Sequence, residues 1–331
     1  MIPATHSFWI VLIFVWGATW GSFLNVVIYR LPAGLSVVRP GSRCGHCETP
    51  IPWYQNVPIF SWFLLRGRCG TCRTPFSIRY PLIEAAVATL SVAVWLKLTH
   101  PYGGDPLAPL PDLLMAWFFL FVFVADLIAI AMIDLDTMRI PDVLSLPGIA
   151  LGLCCALLAG HVTGVPIHES LLGTLLGGGT LLMVTYGYFA LTGREGMGLG
   201  DYRLMAMVGA YLGWRSLLFL LMASAAQGIA FALFARWTGL EDQLPKLDPD
   251  EAELGASKAT TESDAPHSPV TEEAAPDATG PLPSADEHNE TEETFRHMAI
   301  PFGPFIALSA LEWLVFEPWL MQLFERYLFG S

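Results

Sequence analysis

Carboxylates at the ends of long apolar runs are the first residues in this sequence whose type and position suggest chemistry. Asp201 follows the glycine-rich stretch 195–200, and Asp134 ends a different apolar run. An ionisable side chain beside hydrocarbon is costly and is usually functional. Two carboxylates that share one site cannot both ionise easily, so one keeps a proton while the other acts as general base on water. Such a pair titrates as a unit and hydrolyses a peptide bond without a metal.

Other interpretations of these acids remain open from the residues alone. The glycines before Asp201 also suit a loop that simply makes a turn. Paired intramembrane carboxylates serve proton-coupled transport as well, although transporters place them near the midplane and Asp134 and Asp201 lie at one membrane face. Asp136 is expected in the connecting turn, where solvation is an alternative to catalysis, and Asp142 is expected near the start of the next helix as a cap.

The cysteines form the strongest metal signal in the sequence. Cys44 and Cys47 make one Cys-x-x-Cys pair, and Cys69 and Cys72 make a second pair after twenty-one intervening residues. Four thiolates in this pattern are typical of a tetrahedral zinc site without an open position, and therefore of a structural Zn²⁺. A pair of redox-active dithiols is the alternative, but a cytoplasmic segment keeps its thiols reduced.

The elements that must position these residues are membrane helices. The chain has 331 residues, of which 53% are hydrophobic and 14% charged, and its mean hydropathy is +0.50, which excludes a soluble globular protein. Runs of about 20 apolar residues are long enough to cross roughly 30 Å of hydrocarbon. Seven such runs lie near residues 8–29, 80–99, 113–133, 143–160, 170–192, 216–235 and 300–322, and a shorter eighth lies at 202–214. The sequence thus predicts an all-α polytopic membrane protein with about eight transmembrane helices and a small cytoplasmic zinc-binding loop domain.

Charge patterning predicts the orientation of these helices. The segment 30–80 carries seven arginines and one acid, whereas the loop 100–112 carries no lysine or arginine. Because positively charged loops stay inside, we expect the N-terminus outside and the segment 30–80 in the cytoplasm. Residues 241–293 contain sixteen acids against two lysines. Their composition predicts a disordered, solvated linker, with a partner-binding acidic arm as the alternative.

The expected organisation has five parts. A first transmembrane helix occupies 1–30, the four-cysteine zinc domain 31–79, a transmembrane catalytic core 80–240, an acidic cytoplasmic loop 241–298, and a further transmembrane helix with the C-terminus 299–331. On the first helix, Gly21, Ser22 and Asn25 are typical of close helix packing, with a ligand site as the alternative.

Taken together, six motifs resemble those of the type IV prepilin leader peptidases, which are bacterial inner-membrane aspartic proteases of the Gly-x-Gly-Asp type. The resemblance covers the chain from the first helix to the last, apart from about residues 241–293. The motifs are 21–25, the two Cys-x-x-Cys pairs, 79–84, Ile133-Asp134 with Pro141-Asp142, 196–201, and 300–305.

The resemblance implies that Asp134 and Asp201 are the catalytic pair. It implies cleavage of the basic leader from prepilins and pseudopilins of type IV pili and type II secretion, at the cytoplasmic face of the inner membrane. Relatives with the four-cysteine loop are commonly bifunctional, so S-adenosylmethionine is an expected methyl donor, although no glycine-rich nucleotide motif points to its binding residues. The expected partners are these precursors and the lipid bilayer, with no nucleic acid. A carboxylate-based transporter and a membrane thiol oxidoreductase are the alternatives.

Two features depart from the family pattern. Arg203 stands two residues after Asp201, where the resemblance leads us to expect lysine, and this change keeps the charge but not the hydrogen-bonding shape. The acidic stretch 241–293 has no counterpart in the pattern. Neither departure affects the proposed pair of acids.

Overall fold

The computed structural model describes residues 3–99, 108–192, 200–239 and 301–329. These residues are mostly α-helical, and their only β-pairings are two isolated bridges in the segment 31–79. The all-α prediction is confirmed. The predicted disordered stretch 241–293 and the glycine motif at 196–199 lie outside the described residues.

Nine α-helices are described. In chain order they are α1 (Pro3–Arg30), α2 (Phe60–Leu64), α3 (Arg79–Thr99), α4 (Leu110–Thr137), α5 (Asp142–Thr163), α6 (Ile167–Thr192), α7 (Asp201–Leu212), α8 (Leu217–Thr238) and α9 (Gly303–Phe329). Contacts divide the chain into a unit of residues 1–230 with 301–331 and a second unit of residues 231–300. The described part of the second unit is the end of α8, whereas both acids and all four paired cysteines belong to the first unit.

Six of the described helices are long and apolar enough to cross a membrane, rather than the expected eight. They are Ser7–Arg30, Arg79–Thr99, Leu110–Thr137, Asp142–Thr163, Ile167–Leu191 and Trp214–Thr238. The predicted eighth span corresponds to α7, whose 12 residues rise only about 18 Å, less than the thickness of the hydrocarbon. The remaining expected span, at 300–322, corresponds to α9, which is not among the six.

Helix α4 lies at the centre of the bundle and contacts α1, α3, α5 and α9. It carries fifteen buried residues, and 67% of its most apolar stretch is buried. The ring of Phe123 stacks on that of Tyr211 in α7, with their centroids 4.3 Å apart. Because helices pack against α4 on several sides, its C-terminal turn is a rigid place for a functional side chain.

Glycines allow the closest helix contacts, as predicted for the first helix. A Cβ atom at Gly21 would lie 2.7 Å from the Cα atom of Glu84, so α1 and α3 approach each other backbone to backbone there. Gly173 of α6 and Gly209 of α7 meet in the same manner, because a Cβ on Gly173 would lie 2.2 Å from the Gly209 carbonyl oxygen.

Polar pairs distinguish the two ends of the bundle. At one end Lys97 binds Glu317 at 2.6 Å, and Asp112 near the start of α4 faces His161. At the other end Arg79 binds Asp136 near the end of α4, and Arg79 is the last residue of the segment 31–79, called the cysteine segment here. This second end, called the loop end here, carries the segment 31–79 and the termini of α3, α4, α7 and α9 that surround the two acids.

Candidate active site and candidate metal centre

Asp134 lies in the C-terminal turns of α4, at the loop end. Its side chain is buried, with 4% of the residue exposed. The backbone N–H of Gly303 donates a hydrogen bond of 3.1 Å to Asp134 Oδ2. Helix α4 ends at Thr137, and Met138 adopts a left-handed conformation in which its N–H donates to the Asp134 carbonyl at 2.8 Å. Both the side chain and the backbone of Asp134 are therefore held in place.

Asp201 is the first residue of α7 and is also buried, with 7% of the residue exposed. Gly200 precedes it as the N-cap residue. The start of a helix presents unpaired N–H groups and the positive end of the helix dipole, which favour a carboxylate there. The short helix thus fixes the position of Asp201 at the loop end.

Ile140 connects the surroundings of the two acids. A Cβ atom on Gly200 would lie 2.7 Å from Ile140 Cβ, and one on Gly303 would lie 3.3 Å from Ile140 Cδ1 and 2.6 Å from Asp134 Oδ2. Glycine at positions 200 and 303 therefore lets α7 and α9 close around the Ile140 side chain. This packing brings the Asp201 end of α7 towards Asp134.

The charge of Asp134 acts on the carboxyl group of Asp201. Asp201 lies outside the six candidate spans, and burial raises its pKa to about 7, with the charge of Asp134 adding to the rise. Because Coulomb interactions weaken with distance, this influence indicates that the acids are neighbours. The structure brings Asp134 and Asp201 into one site, and their catalytic role stays a prediction.

Asp136 does not belong to this pair. Arg79 binds it through two parallel hydrogen bonds, of 2.8 Å to Oδ1 and 2.7 Å to Oδ2, and Arg79 also donates to the Met132 carbonyl at 3.2 Å. A bidentate pair of this kind is geometrically specific. The pair joins the end of α4 to the start of α3. Interpreting Asp136 from the sequence as a solvated acid does not predict this role.

Asp142 has a partner as well. It is the first residue of α5 and makes no side-chain cap; its carboxylate instead binds Arg203 of α7. Arg203 also donates from Nε to the Tyr202 hydroxyl at 2.9 Å. The arginine found in place of the expected lysine therefore ties α7 to α5 next to Asp201.

The four paired cysteines form a compact cluster. All four sulfur atoms lie within 4.8 Å of one another, and the Sγ atoms of Cys44 and Cys72 are 3.7 Å apart. Four thiolates at about 2.3 Å from a tetrahedral Zn²⁺ would lie about 3.8 Å from one another. The donor set and its spacing therefore fit a metal ion.

The two cysteine pairs have the same local fold. The N–H of Cys44 bonds to the Thr49 carbonyl at 3.1 Å, and the N–H of Cys69 bonds to the Thr74 carbonyl at 2.9 Å. The residue after each second cysteine, Glu48 or Arg73, has a positive φ. Each turn directs its two sulfurs inward, so the matched spacing seen in the sequence corresponds to matched structures.

Hydrogen bonds favour the thiolate at two of the four cysteines, Cys69 and Cys72. At Cys44, backbone hydrogen bonds from Cys47 and His46 lower the pKa, but burial and side-chain hydrogen bonds with Cys47 and Cys69 leave it raised. The Thr74 side chain, and then its backbone, lower the pKa of Cys72 to about 6. Backbone hydrogen bonds from Cys72 and Thr71 lower the pKa of Cys69. Metal binding requires deprotonated cysteines, so the hydrogen bonds at Cys69 and Cys72 are suited to a metal ion.

Comparisons with known proteins cover most of the chain. The model of the bacterial peptidase A24 N-terminal domain matches residues 15–98, and that of the type IV leader peptidase family matches residues 114–233. A relative from Myxococcus xanthus (strain DK1622), named prepilin leader peptidase/N-methyltransferase, is 35% identical over 323 residues, which are 95% of this chain and 92% of the relative. Relatives of the same name from Aeromonas hydrophila and Neisseria gonorrhoeae are 38% and 36% identical, covering 66% and 67% of this chain and 78% and 80% of their own lengths. No solved structure matches.

Proposed function

Because this chain belongs to the type IV leader peptidase family, we propose that it is a membrane aspartic endopeptidase that removes the leader from prepilins and pseudopilins, and then methylates the new N-terminus. The observation that carries the peptidase is the burial of Asp134 and Asp201 at the loop end, where Gly200 and Gly303 both pack against Ile140. The proposed location is the bacterial inner membrane, with the N-terminus outside and the active site at the cytoplasmic face.

In the proposed reaction the two acids share one proton. The ionised carboxylate takes a proton from a water molecule, whose oxygen attacks the scissile carbonyl carbon, while the protonated acid donates to the carbonyl oxygen. Collapse of the intermediate breaks the C–N bond, and the leaving amine takes the proton that the base had received from water. A hydroxyl group of the intermediate returns its proton to the other carboxylate, so that the pair again shares one proton. The Gly303 N–H orients Asp134 for this exchange through its bond to Oδ2.

The position of the site suits a substrate with an apolar helix and a basic leader. Asp134 and Asp201 lie at the loop end, which also carries the arginine-rich segment 31–79. If positive segments stay inside, this end faces the cytoplasm. A precursor whose helix lies in the bilayer then presents its scissile bond at the level of the two acids.

The cysteine cluster has a structural role in this proposal. Cys44, Cys47, Cys69 and Cys72 would hold a structural Zn²⁺, which stabilises a segment too small to have a core of its own. We retain the five-part division at residues 30, 79, 240 and 298 as part of the proposal. S-adenosylmethionine is the proposed methyl donor.

The alternatives lack comparable support. Both acids lie at one end of the bundle, whereas a transport pathway needs acids near the midplane. The sulfurs form one cluster of four, whereas dithiol exchange needs only two. Family membership also favours the peptidase.

Substitution of each acid tests the proposed peptidase. We expect Asp134→Asn and Asp201→Asn each to abolish leader removal from a purified prepilin, measured by mass spectrometry. Asp112→Asn is the matched control, since Asp112 lies on α4 at the opposite end of the bundle. Cleavage at the wild-type rate by either of the first two variants would refute the catalytic assignment.

A further inference from the structure

A large cavity lies at the loop end, between α1, the cysteine segment and the start of α3. Its volume is about 660 Å³, within the range of roughly 300–1,000 Å³ found for small-molecule sites. It is separate from the two acids, because neither Asp134 nor Asp201 lines it. A cavity of this size accommodates a nucleoside with an attached side chain.

Two buried polar side chains lie on the helical wall of the cavity. Glu84 of α3 is 8% exposed, and its Oε2 atom accepts a hydrogen bond of 2.6 Å from the Ile59 N–H. Asn25 of α1 is equally buried, and its Nδ2 atom donates to the carbonyl oxygens of Tyr80 and Gly21. These bonds fix both side chains, and buried polar groups that line a cavity are suited to orienting a ligand.

Other polar groups of the cavity lack a protein partner. The Ser61 hydroxyl is buried and makes no hydrogen bond. Arg39, Arg43 and Arg68 line the cavity, and no ion pair involves them within the residues that the structure describes. The buried hydroxyl of Ser61 lacks a partner that a ligand could supply. The three arginines are exposed, and their guanidinium groups are free to bind an anionic group of that ligand.

An aromatic wall completes the lining. The Trp62 indole is fixed by a hydrogen bond of 3.2 Å from Nε1 to the Phe76 carbonyl, and a Cβ atom on Gly67 would lie 2.8 Å from its ring. A rigid aromatic surface is suited to a planar heterocycle.

We propose that this cavity binds S-adenosylmethionine, and this proposal rests on the methyltransferase part of the proposed function. The arginines provide charge for the carboxylate, Glu84 provides charge for the ammonium group, and Trp62 provides an aromatic surface for the adenine. In the transfer, the lone pair of the deprotonated new N-terminal amine attacks the methyl carbon, and the carbon–sulfur bond breaks with its electron pair remaining on sulfur. The surplus proton of the amine passes to water, and S-adenosylhomocysteine leaves.

The start of α3 links the cavity to the peptidase site. Tyr80 and Pro81 line the cavity, whereas the preceding residue, Arg79, binds Asp136 two positions beyond Asp134. The cavity and the two acids therefore lie near the same helix terminus. A cleaved substrate would have only a short distance to move before methylation.

Binding of S-adenosylhomocysteine to the full chain in nanodiscs, measured by calorimetry, tests the proposal without requiring turnover. We expect Glu84→Gln and Ser61→Leu each to weaken binding about tenfold or more, because one removes a charged partner and the other fills the cavity. Arg66→Gln is the control, since Arg66 does not line the cavity, and it should bind as the wild type does. Zinc content and leader cleavage report whether each variant is folded.

Photolabelling of the wild type with an azido analogue of S-adenosylmethionine provides a second measurement that needs no variant. The label is expected in peptides that include Trp62 or Tyr80. Binding by the wild type with a label elsewhere, or undiminished binding by both cavity variants, would overturn the site. No binding and no methylation by the wild type would instead overturn the methyltransferase part of the proposed function.

Discussion

Replacing Gly303 by alanine tests whether the close approach of α9 to Asp134 is needed for cleavage. The added Cβ would lie 2.6 Å from Asp134 Oδ2 and 3.2 Å from Cγ, whereas ordinary contact begins at 3.4 Å. The carboxylate must therefore retreat by about 0.8 Å, and a misplacement of about 1 Å can reduce a rate about 100-fold. We expect kcat to fall by about that factor.

The Gly303→Ala substitution changes the position of the Asp134 carboxylate but keeps the N–H group that donates to it. Alanine keeps the backbone N–H that donates to Asp134, and Gly303 is not among the residues with positive φ, so its backbone is compatible with alanine. The atom that must move is the end of a side chain rather than backbone, and we therefore expect the thermal unfolding temperature to change little.

Prepilin cleavage under single-turnover conditions measures this effect. Gly179→Ala is the matched control, because Gly179 is also helical and a Cβ there meets nothing within 4 Å. A cleavage rate for Gly303→Ala within about twofold of the wild type would refute the reasoning, provided that the variant is folded.

Two further predictions concern the loop end. Arg79→Lys keeps the charge but loses the two parallel hydrogen bonds to Asp136, so we expect kcat for prepilin cleavage to fall by about fivefold to tenfold. A rate equal to that of the wild type would show that the pair does not position Asp134. Cys44→Ser combined with Cys72→Ser should abolish zinc binding, measured by elemental analysis, and should make residues 31–79 sensitive to proteolysis; a wild type without zinc would contradict the metal assignment.

The sequence predicts structure best where the residues concerned are close together in the chain. The two Cys-x-x-Cys pairs predict the sulfur cluster, because each pair needs only one turn to direct its thiols inward. The long apolar runs likewise predict helices, since length and composition suffice to identify them.

Contacts between segments that are distant in the sequence are harder to predict from the sequence. Asp134 and Asp201 stand out by their position at the ends of apolar runs, but their proximity depends on how Ile140 packs against Gly200 and Gly303. No periodicity in the sequence encodes that packing. The pairing of Arg79 with Asp136 escapes prediction for the same reason, although Arg79 belongs to one of the motifs that carry the family resemblance.

The helix count and the cap at Asp142 show a different limit. The apolar run at 202–214 predicts a span, yet the helix formed there has only 12 residues. Asp142 has a type and position typical of a cap, but an arginine on another helix binds its carboxylate. The short helix ends at Gly213, which has a positive φ, whereas a tertiary partner decides the role of Asp142.

The hydrogen bond from Gly303 to Asp134 also has a consequence for biosynthesis. The ribosome makes Asp134 and Asp201 long before it makes Gly303, and about a hundred residues separate Asp201 from that glycine. A nascent chain that already holds both acids in the membrane would still lack the N–H donor that orients one of them. Proteolytic competence would then be acquired only after α9 has been made and has packed against Asp134.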